Sequence, residues 1–316
     1  MIKVDLITGL LGSGKTSFLK EYVKYYMNQG IRIGILENDY GAVNVDMLFL
    51  NELRGELCEL EMVAGGCDSD CHKRRFKTKL ISMAMSGYKR VLIEPSGLFD
   101  MDEFFDTLRE EPLDNWYEIG SVITVVDVTK SAEELEKQEY MFKTQLGHAM
   151  TIVLSKTDLA TEQQILEMKK RIEAVSGELH CKRPLGELIV DKSPGGFEQE
   201  QWKQIESAGY QTVDYVKKTV EDMGYETIYL LEHGLKEKTI RDACSFLFGD
   251  ESHGRMERIK GFFLTEEGQW MEVNATRNGI EMKATPVGQE VIILIGTGLD
   301  EDRIKEALAR LPKLPT

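Results

Sequence analysis

Eight residues near the start of the chain, Gly9-Leu10-Leu11-Gly12-Ser13-Gly14-Lys15-Thr16, have the spacing G-x-x-x-x-G-K-[ST]. Glycines at those positions let a backbone curl until several N–H groups converge on one point, which suits a chain of phosphates. An apolar run over 2–7 reads as a strand before the loop, and a helical pattern begins at Lys15 after it, so the helix N-terminus adds its partial positive charge. In that arrangement Gly12, Ser13, Gly14 and Ser17 line the phosphates and Lys15 reaches the β and γ groups. The Thr16 hydroxyl then holds a magnesium ion. The expected ligand is a nucleoside triphosphate with Mg2+.

Two further segments stand at strand ends. Val91-Leu92-Ile93-Glu94-Pro95-Ser96-Gly97 is an apolar strand closed by an acid, a small residue and a glycine. Behind a phosphate loop, Glu94 is expected on magnesium or its water and the Gly97 N–H at the γ-phosphate. Leu154-Ser155-Lys156-Thr157-Asp158 resembles N-K-x-D, with serine where that pattern has asparagine. Asp158 would accept the two guanine N–H donors and Lys156 would lie over the ring, so the nucleotide is read as GTP. Ser155 is shorter than asparagine and has no amide, and is expected to brace its loop less well.

Several elements must position these residues. Apolar runs at 2–7, 31–36, 90–93, 122–126 and 151–154 alternate with helical patterns at 15–28, 73–86, 100–109, 132–145 and 161–175, which implies an α/β domain with a mostly parallel sheet covered on both faces. Loop signals at Pro184, Pro194 and Gly195-Gly196 suggest a boundary, and the expected domains are 1–208 and 209–316. Beyond it, helical patterns at 211–223 and 236–248 flank a short run at 227–231. Extended segments at 258–264, 269–275, 279–283 and 290–295 follow, then a helix over 301–311. The smaller domain is therefore expected to be α+β with a mostly antiparallel sheet.

Composition narrows the function classes. The chain has 316 residues with 42% hydrophobic and 29% charged, ordinary values for a globular protein. Its formal net charge of −15 disfavours nucleic-acid and anionic membrane partners. Five cysteines, Cys58, Cys67, Cys71, Cys181 and Cys244, do not look like a disulfide framework. With no signal-peptide pattern and no apolar run long enough to span a bilayer, a cytoplasmic location is expected.

With the three nucleotide segments in this order, the chain resembles the CobW-type P-loop GTPases, relatives of the GTPases of urease and hydrogenase maturation. Leu36-Glu37-Asn38-Asp39-Tyr40-Gly41 with Asp46 is similar to the family's E-N-E-F-G segment and its downstream acid. Val125-Val126-Asp127, Ile259-Lys260-Gly261-Phe262 and Leu294-Ile295-Gly296 match further landmarks. The resemblance implies a slow GTP-hydrolysing switch that helps deliver a metal, zinc or cobalt above all, or mature a client metalloprotein. Asp39 would join Thr16 and Glu94 at magnesium, Lys15 would stabilise γ-phosphate charge, and either Glu37 or Asp39 would position the attacking water. It leaves a homodimer across the nucleotide open.

The chain departs from the family at its metal loop. Where members carry C-x-C-C, this sequence has Cys67-Asp68-Ser69-Asp70-Cys71-His72. Cys67, Cys71 and His72 could supply three ligands to Zn2+ or Co2+. A redox pair and a purely structural loop stand beside that reading. A second functional reading is a GTP-dependent activator that docks on a partner such as a corrinoid enzyme without a transition-metal site of its own. Lys73-Arg74-Arg75 is a basic patch, read either as a solvated helix start or as a contact for an anionic partner.

Overall fold

The computed structural model describes residues 1–39, 50–64, 69–95, 101–179, 184–192, 196–210, 225–231, 235, 237–277, 279–285, 288 and 290–309. The chain divides into two compact units, Met1–Lys217 and Lys218–Thr316.

The first unit is built on seven parallel strands: β1 (Ile2–Thr8), β2 (Ile33–Asp39), β3 (Cys58–Ala64), β4 (Arg90–Pro95), β5 (Tyr117–Asp127), β6 (Thr151–Ser155) and β7 (Ile189–Val190), in the order β3-β2-β4-β1-β5-β6-β7. The central strands are apolar throughout because both faces are covered. One face packs on α1 (Lys15–Met27) and α7 (Gln199–Glu206), through Phe18, Leu19, Tyr22, Trp202 and Ile205. The other packs on α2 (Ser69–Ala84) and α3 (Met101–Arg109), through Phe76, Leu80, Phe104 and Phe105. Helices α4 (Ala132–Lys137), α5 (Glu139–His148) and α6 (Glu162–Glu178) complete the unit. This is the P-loop NTPase fold expected from the alternation of strand and helix patterns.

Five details differ from the sequence-based expectation. Strand β3 was not expected: it lies at the sheet edge, and Glu59 and Glu61 alternate with apolar residues along it, so it lacks the continuous apolar run of a central strand. Helix α2 starts at Ser69 rather than 73. The pattern over 132–145 is two helices: a capping box of Ser131 and Glu134 starts the first, and Gln138 leaves the helical conformation (φ −117°, ψ 23°) between them. The stretch that holds the loop signals Pro184, Pro194 and Gly195-Gly196 also carries β7, and α7 follows directly. Gly209 and Tyr210 belong with the first unit rather than the second: Val122 N donates to the Gly209 carbonyl at 3.3 Å, and the Tyr210 ring lies 4.2 Å from that of Phe105. The helix expected over 211–223 lies outside the described residues.

The second unit holds five strands, β8 (Tyr225–Leu231), β9 (Arg255–Leu264), β10 (Trp270–Thr276), β11 (Gly279–Ala284) and β12 (Val291–Thr297), in the order β11-β10-β9-β12-β8 with every pairing antiparallel. Helices α8 (Glu237–Gly249) and α9 (Glu301–Ala309) cover one face, where Ile240, Leu247, Ile304 and Leu308 meet Phe263, Val273 and Leu294.

Candidate functional site

The site lies at the C-terminal ends of the parallel strands, where loops of an open α/β sheet meet ligands. β1 ends at Thr8 and the loop turns through Gly9 (φ 149°), Gly12 (φ 73°) and Gly14 (φ 92°). A Cβ on Gly9 would come within 2.4 Å of the Val125 carbonyl oxygen, so the loop can lie against β5 only with glycine there. Gly14 caps α1 in the left-handed conformation with no side chain accepting from the first turn, and no acid stands in that turn. The helix N-terminus therefore presents its amides to an anion.

Lys15 is buried and its Nζ donates to the carbonyl oxygens of Gly9 (3.1 Å) and Leu10 (3.5 Å), which holds the ammonium inside the ring of loop amides. Ser13 is also buried, and its hydroxyl has no hydrogen-bond partner among the described residues. Ser17 is exposed in the first turn of α1.

Thr16 Oγ1 donates to Glu94 Oε1 at 3.0 Å, joining the first turn of α1 to the end of β4 across 78 residues of sequence. Glu94 pairs in register with Glu37 on β2, and both carboxylates are buried. Two neighbouring buried acids beside a threonine hydroxyl are hard oxygen donors, the chemistry that a divalent cation such as Mg2+ requires. One strand further out, Asp39 pairs in register with Ala64, so the segment after Asp39 and the cysteine loop after Ala64 leave the sheet from adjacent strand ends.

On the base side, Ser155 ends β6 and its hydroxyl lies 2.5 Å from the Ser13 carbonyl oxygen and 3.2 Å from that of Val126. It has one proton and gives it to Ser13. The shorter side chain does reach the phosphate loop, because β6 lies close enough that a hydroxyl spans the gap. Lys156 follows with a left-handed backbone (φ 55°), and its Nζ donates to Asp127 Oδ2 at 2.6 Å. Asp158 is exposed.

Residues 3–182 match the nucleotide-binding domain model of the CobW/HypB/UreG family, more than half of the chain. The chain belongs to that family. It is 30% identical over 182 residues to the zinc chaperone YjiA of Escherichia coli strain K12, covering 55% of each protein. It is 28% identical over 164 residues to the zinc chaperone YeiR of the same organism, covering 52% of this chain and 49% of that one. The chain thus spans about half the length of the curated relatives it matches. A crystal structure of Zn(II)-bound YjiA GTPase from E. coli aligns over 99% of both chains at 20% identity, with a TM-score of 0.44.

Within this CobW/HypB/UreG chain, Lys15, Thr16, Glu37 and Glu94 come together at one end of the sheet, with Ser155 tied to the phosphate loop and Lys156 to Asp127. Gly97 and Cys67 lie outside the described residues, as do the side chains of Asp39, Cys71 and His72, although Cys71 and His72 fall in the first turn of α2. Among the described residues no three acid, cysteine or histidine side chains group as a metal site. Lys73 of the basic patch is engaged: Glu110 accepts from Lys73 and Lys77 at 3.2 and 2.7 Å, contacts that hold its carboxyl below the usual range. No helix among the described residues is long and apolar enough to cross a membrane. The sequence reading missed the link from Asp127 to Lys156, though Val125-Val126-Asp127 had marked the position.

Proposed function

We propose that this protein is a GTP-binding, slowly GTP-hydrolysing switch that assists delivery of a metal ion, zinc first, to a client metalloprotein. The observation that carries the reading is the Thr16–Glu94 hydrogen bond at 3.0 Å, with Glu37 in register beside it at the foot of the phosphate loop. It joins the helix that would cradle the phosphates to the strand that leads into Gly97.

In this reading Gly12, Ser13, Gly14, Lys15, Thr16 and Ser17 bind the triphosphate, with Gly97 at the γ-phosphate and Lys156 and Asp158 at guanine. Thr16, Glu94 and Asp39 would hold Mg2+, whose role is to neutralise charge on the β and γ oxygens. Lys15 stabilises charge that builds on the γ-phosphate, and a buried carboxylate, Glu37 or Asp39, orients the attacking water. The first unit, Met1–Lys217, acts as the nucleotide domain and Lys218–Thr316 as the smaller C-terminal domain.

Zinc enters as cargo. Cys67, Cys71 and His72 offer thiolates and an imidazole, ligands that suit zinc or cobalt. The adjacent ends of β2 and β3 support coupling, because a segment held by γ-phosphate after Asp39 relaxes on hydrolysis next to the cysteine loop. The names of the relatives, zinc chaperones YjiA and YeiR, favour metal delivery over a purely docking activator.

The test is GTP hydrolysis by the purified chain with and without Mg2+, followed by zinc titration in the GTP- and GDP-bound states. Magnesium-dependent turnover that Lys15→Ala abolishes, with zinc affinity differing between nucleotide states and lost in Cys67→Ala/Cys71→Ala, is the expected result. Equal use of ATP and GTP would remove the guanine assignment. Unchanged zinc binding in the double cysteine variant would remove the cargo site.

A further inference from the structure

The loop that follows β6 hangs from two anchors. One is Ser155, whose hydroxyl donates to the Ser13 carbonyl of the phosphate loop. The other is Asp127, the register partner of Ser155 on β5, whose side chain is buried. Its two carboxylate oxygens are divided. Oδ1 accepts from Thr129 N at 2.9 Å and Thr129 Oγ1 at 2.6 Å, while Oδ2 accepts from Lys156 Nζ at 2.6 Å. The carboxylate cannot turn without breaking one set of contacts.

Lys156 is the only non-glycine residue with a left-handed backbone among the described residues. That conformation is unfavourable for a residue with a side chain and persists only where its surroundings enforce it. Here the enforcement comes from an ion pair to a buried acid at one end of the side chain and from the Ser155 tie one residue earlier. The lysine stem is thereby fixed in direction, and Asp158, two residues on, is exposed.

We infer that Asp127 is a positioning residue for guanine recognition: by holding Lys156 it fixes the 155–158 loop so that the lysine stem meets a purine face and Asp158 meets its edge. The inference rests on the guanine-nucleotide reading of the site. Asp127 acts through Lys156 rather than on the phosphates, so its loss should cost base affinity and selectivity and leave the hydrolytic step intact once nucleotide is saturating.

The experiment titrates the full chain with fluorescent GDP, competes it with GDP and ADP, and measures steady-state GTP hydrolysis, for wild type, Asp127→Asn, Lys156→Met and the double variant. Asp127→Asn is expected to weaken GDP about tenfold with ADP unchanged, and to raise the KM for GTP by a similar factor with kcat within about twofold. The double variant should be no worse than the more affected single one, since both break one contact. Lys156 is part-exposed, so Lys156→Met keeps the fold and must show the same loss of GDP-over-ADP preference even if Asp127→Asn unfolds. An unchanged GDP-to-ADP ratio in Lys156→Met, additive losses in the double variant, or a fall in kcat at unchanged KM would overturn the inference. A wild-type chain that binds ADP as tightly as GDP would overturn the guanine reading itself, before any variant is compared.

Discussion

Both ends of the first unit's parallel sheet bury carboxylates, but they are satisfied differently. Toward the strand starts, Asp5 is fully buried and accepts from Arg90 Nη1 (2.6 Å), Tyr22 OH (2.9 Å) and Ser121 N (2.8 Å). Tyr26 OH donates to Tyr22 OH, and Arg90 also reaches the Glu206 carbonyl at the end of α7. Burial pushes the Asp5 carboxyl above the usual range and Arg90 pulls it back. Burial likewise opposes the Arg90 charge, yet its acidic and phenolic neighbours raise its pKa further, so the guanidinium stays charged. At the strand ends, Glu37 and Glu94 stand side by side on neighbouring strands, with Thr16 on one of them. The first cluster joins β1, β4, β5, α1 and α7, and its chemistry is complete within the chain. The second brings two carboxyl groups together beside a glycine-rich loop, hard oxygen donors that suit a cation and its phosphates.

If that contrast is right, the two ends respond oppositely to mutation. Asp5→Ala leaves the Arg90 guanidinium buried without its acid and should lower the unfolding free energy by about 3–5 kcal/mol, measured by denaturant titration, while the folded fraction still binds nucleotide. Glu94→Gln should do the reverse. GTP hydrolysis is expected to fall ~100-fold, equivalent to ~2.7 kcal/mol of barrier, with unfolding changed by no more than about 1 kcal/mol because two adjacent acids become one. A Glu94→Gln chain that unfolds as readily as Asp5→Ala would erase the distinction.

The open end was the more legible one in sequence. The loop 9–16, Glu94 and Lys156-Thr157-Asp158 are short segments whose chemistry depends on residue type and spacing, and the strands that carry them are apolar runs bounded by turns. The Asp5 cluster left no such mark. Its members come from positions 5, 22, 26, 90, 121 and 206, and only the three-dimensional fold makes them neighbours. An aspartate inside the run Ile2–Thr8 and an arginine opening Arg90–Pro95 carry no spacing that would pair them. Strand β3 was hidden for a related reason: its alternating glutamates belong to an edge. The contact of Ser155 with the Ser13 carbonyl was hidden because sequence gives side-chain length but not the distance to be spanned.

The cysteines extend the contrast along one strand. Cys58 opens β3 and is fully buried, and burial pushes its thiol up to about 12. Cys67 and Cys71 follow the strand's other end. Cys58 should therefore stay unmodified by a maleimide in the native chain and react only on unfolding, as mass mapping would show. Cys244, buried under the second unit's sheet, is raised to about 12 as well. A thiol whose folded value lies above its unfolded one contributes stability that is whole below about pH 9 and is lost as pH rises toward 12. Each should thus cost ~1.4 kcal/mol at pH 10 relative to pH 7. Cys58→Ala should flatten the first unit's share of that fall.

The smallest expected effect tests whether the closed end is cooperative or merely crowded. Tyr26→Phe removes the hydroxyl that donates to Tyr22 at 2.8 Å and keeps the ring beneath the Arg90 guanidinium, 5.1 Å from its centroid. Tyr22 still donates to Asp5, so only an outer link is lost, and the unfolding free energy should fall by about 1 kcal/mol. Combined with Asp5→Ala, the same change should cost almost nothing more, because Tyr22 then no longer needs to be oriented toward an acid. If the two losses instead add in full, Tyr26 stabilises α1 by packing alone, and the hydrogen-bonded chain from Tyr26 through Tyr22 to Asp5 is not one unit.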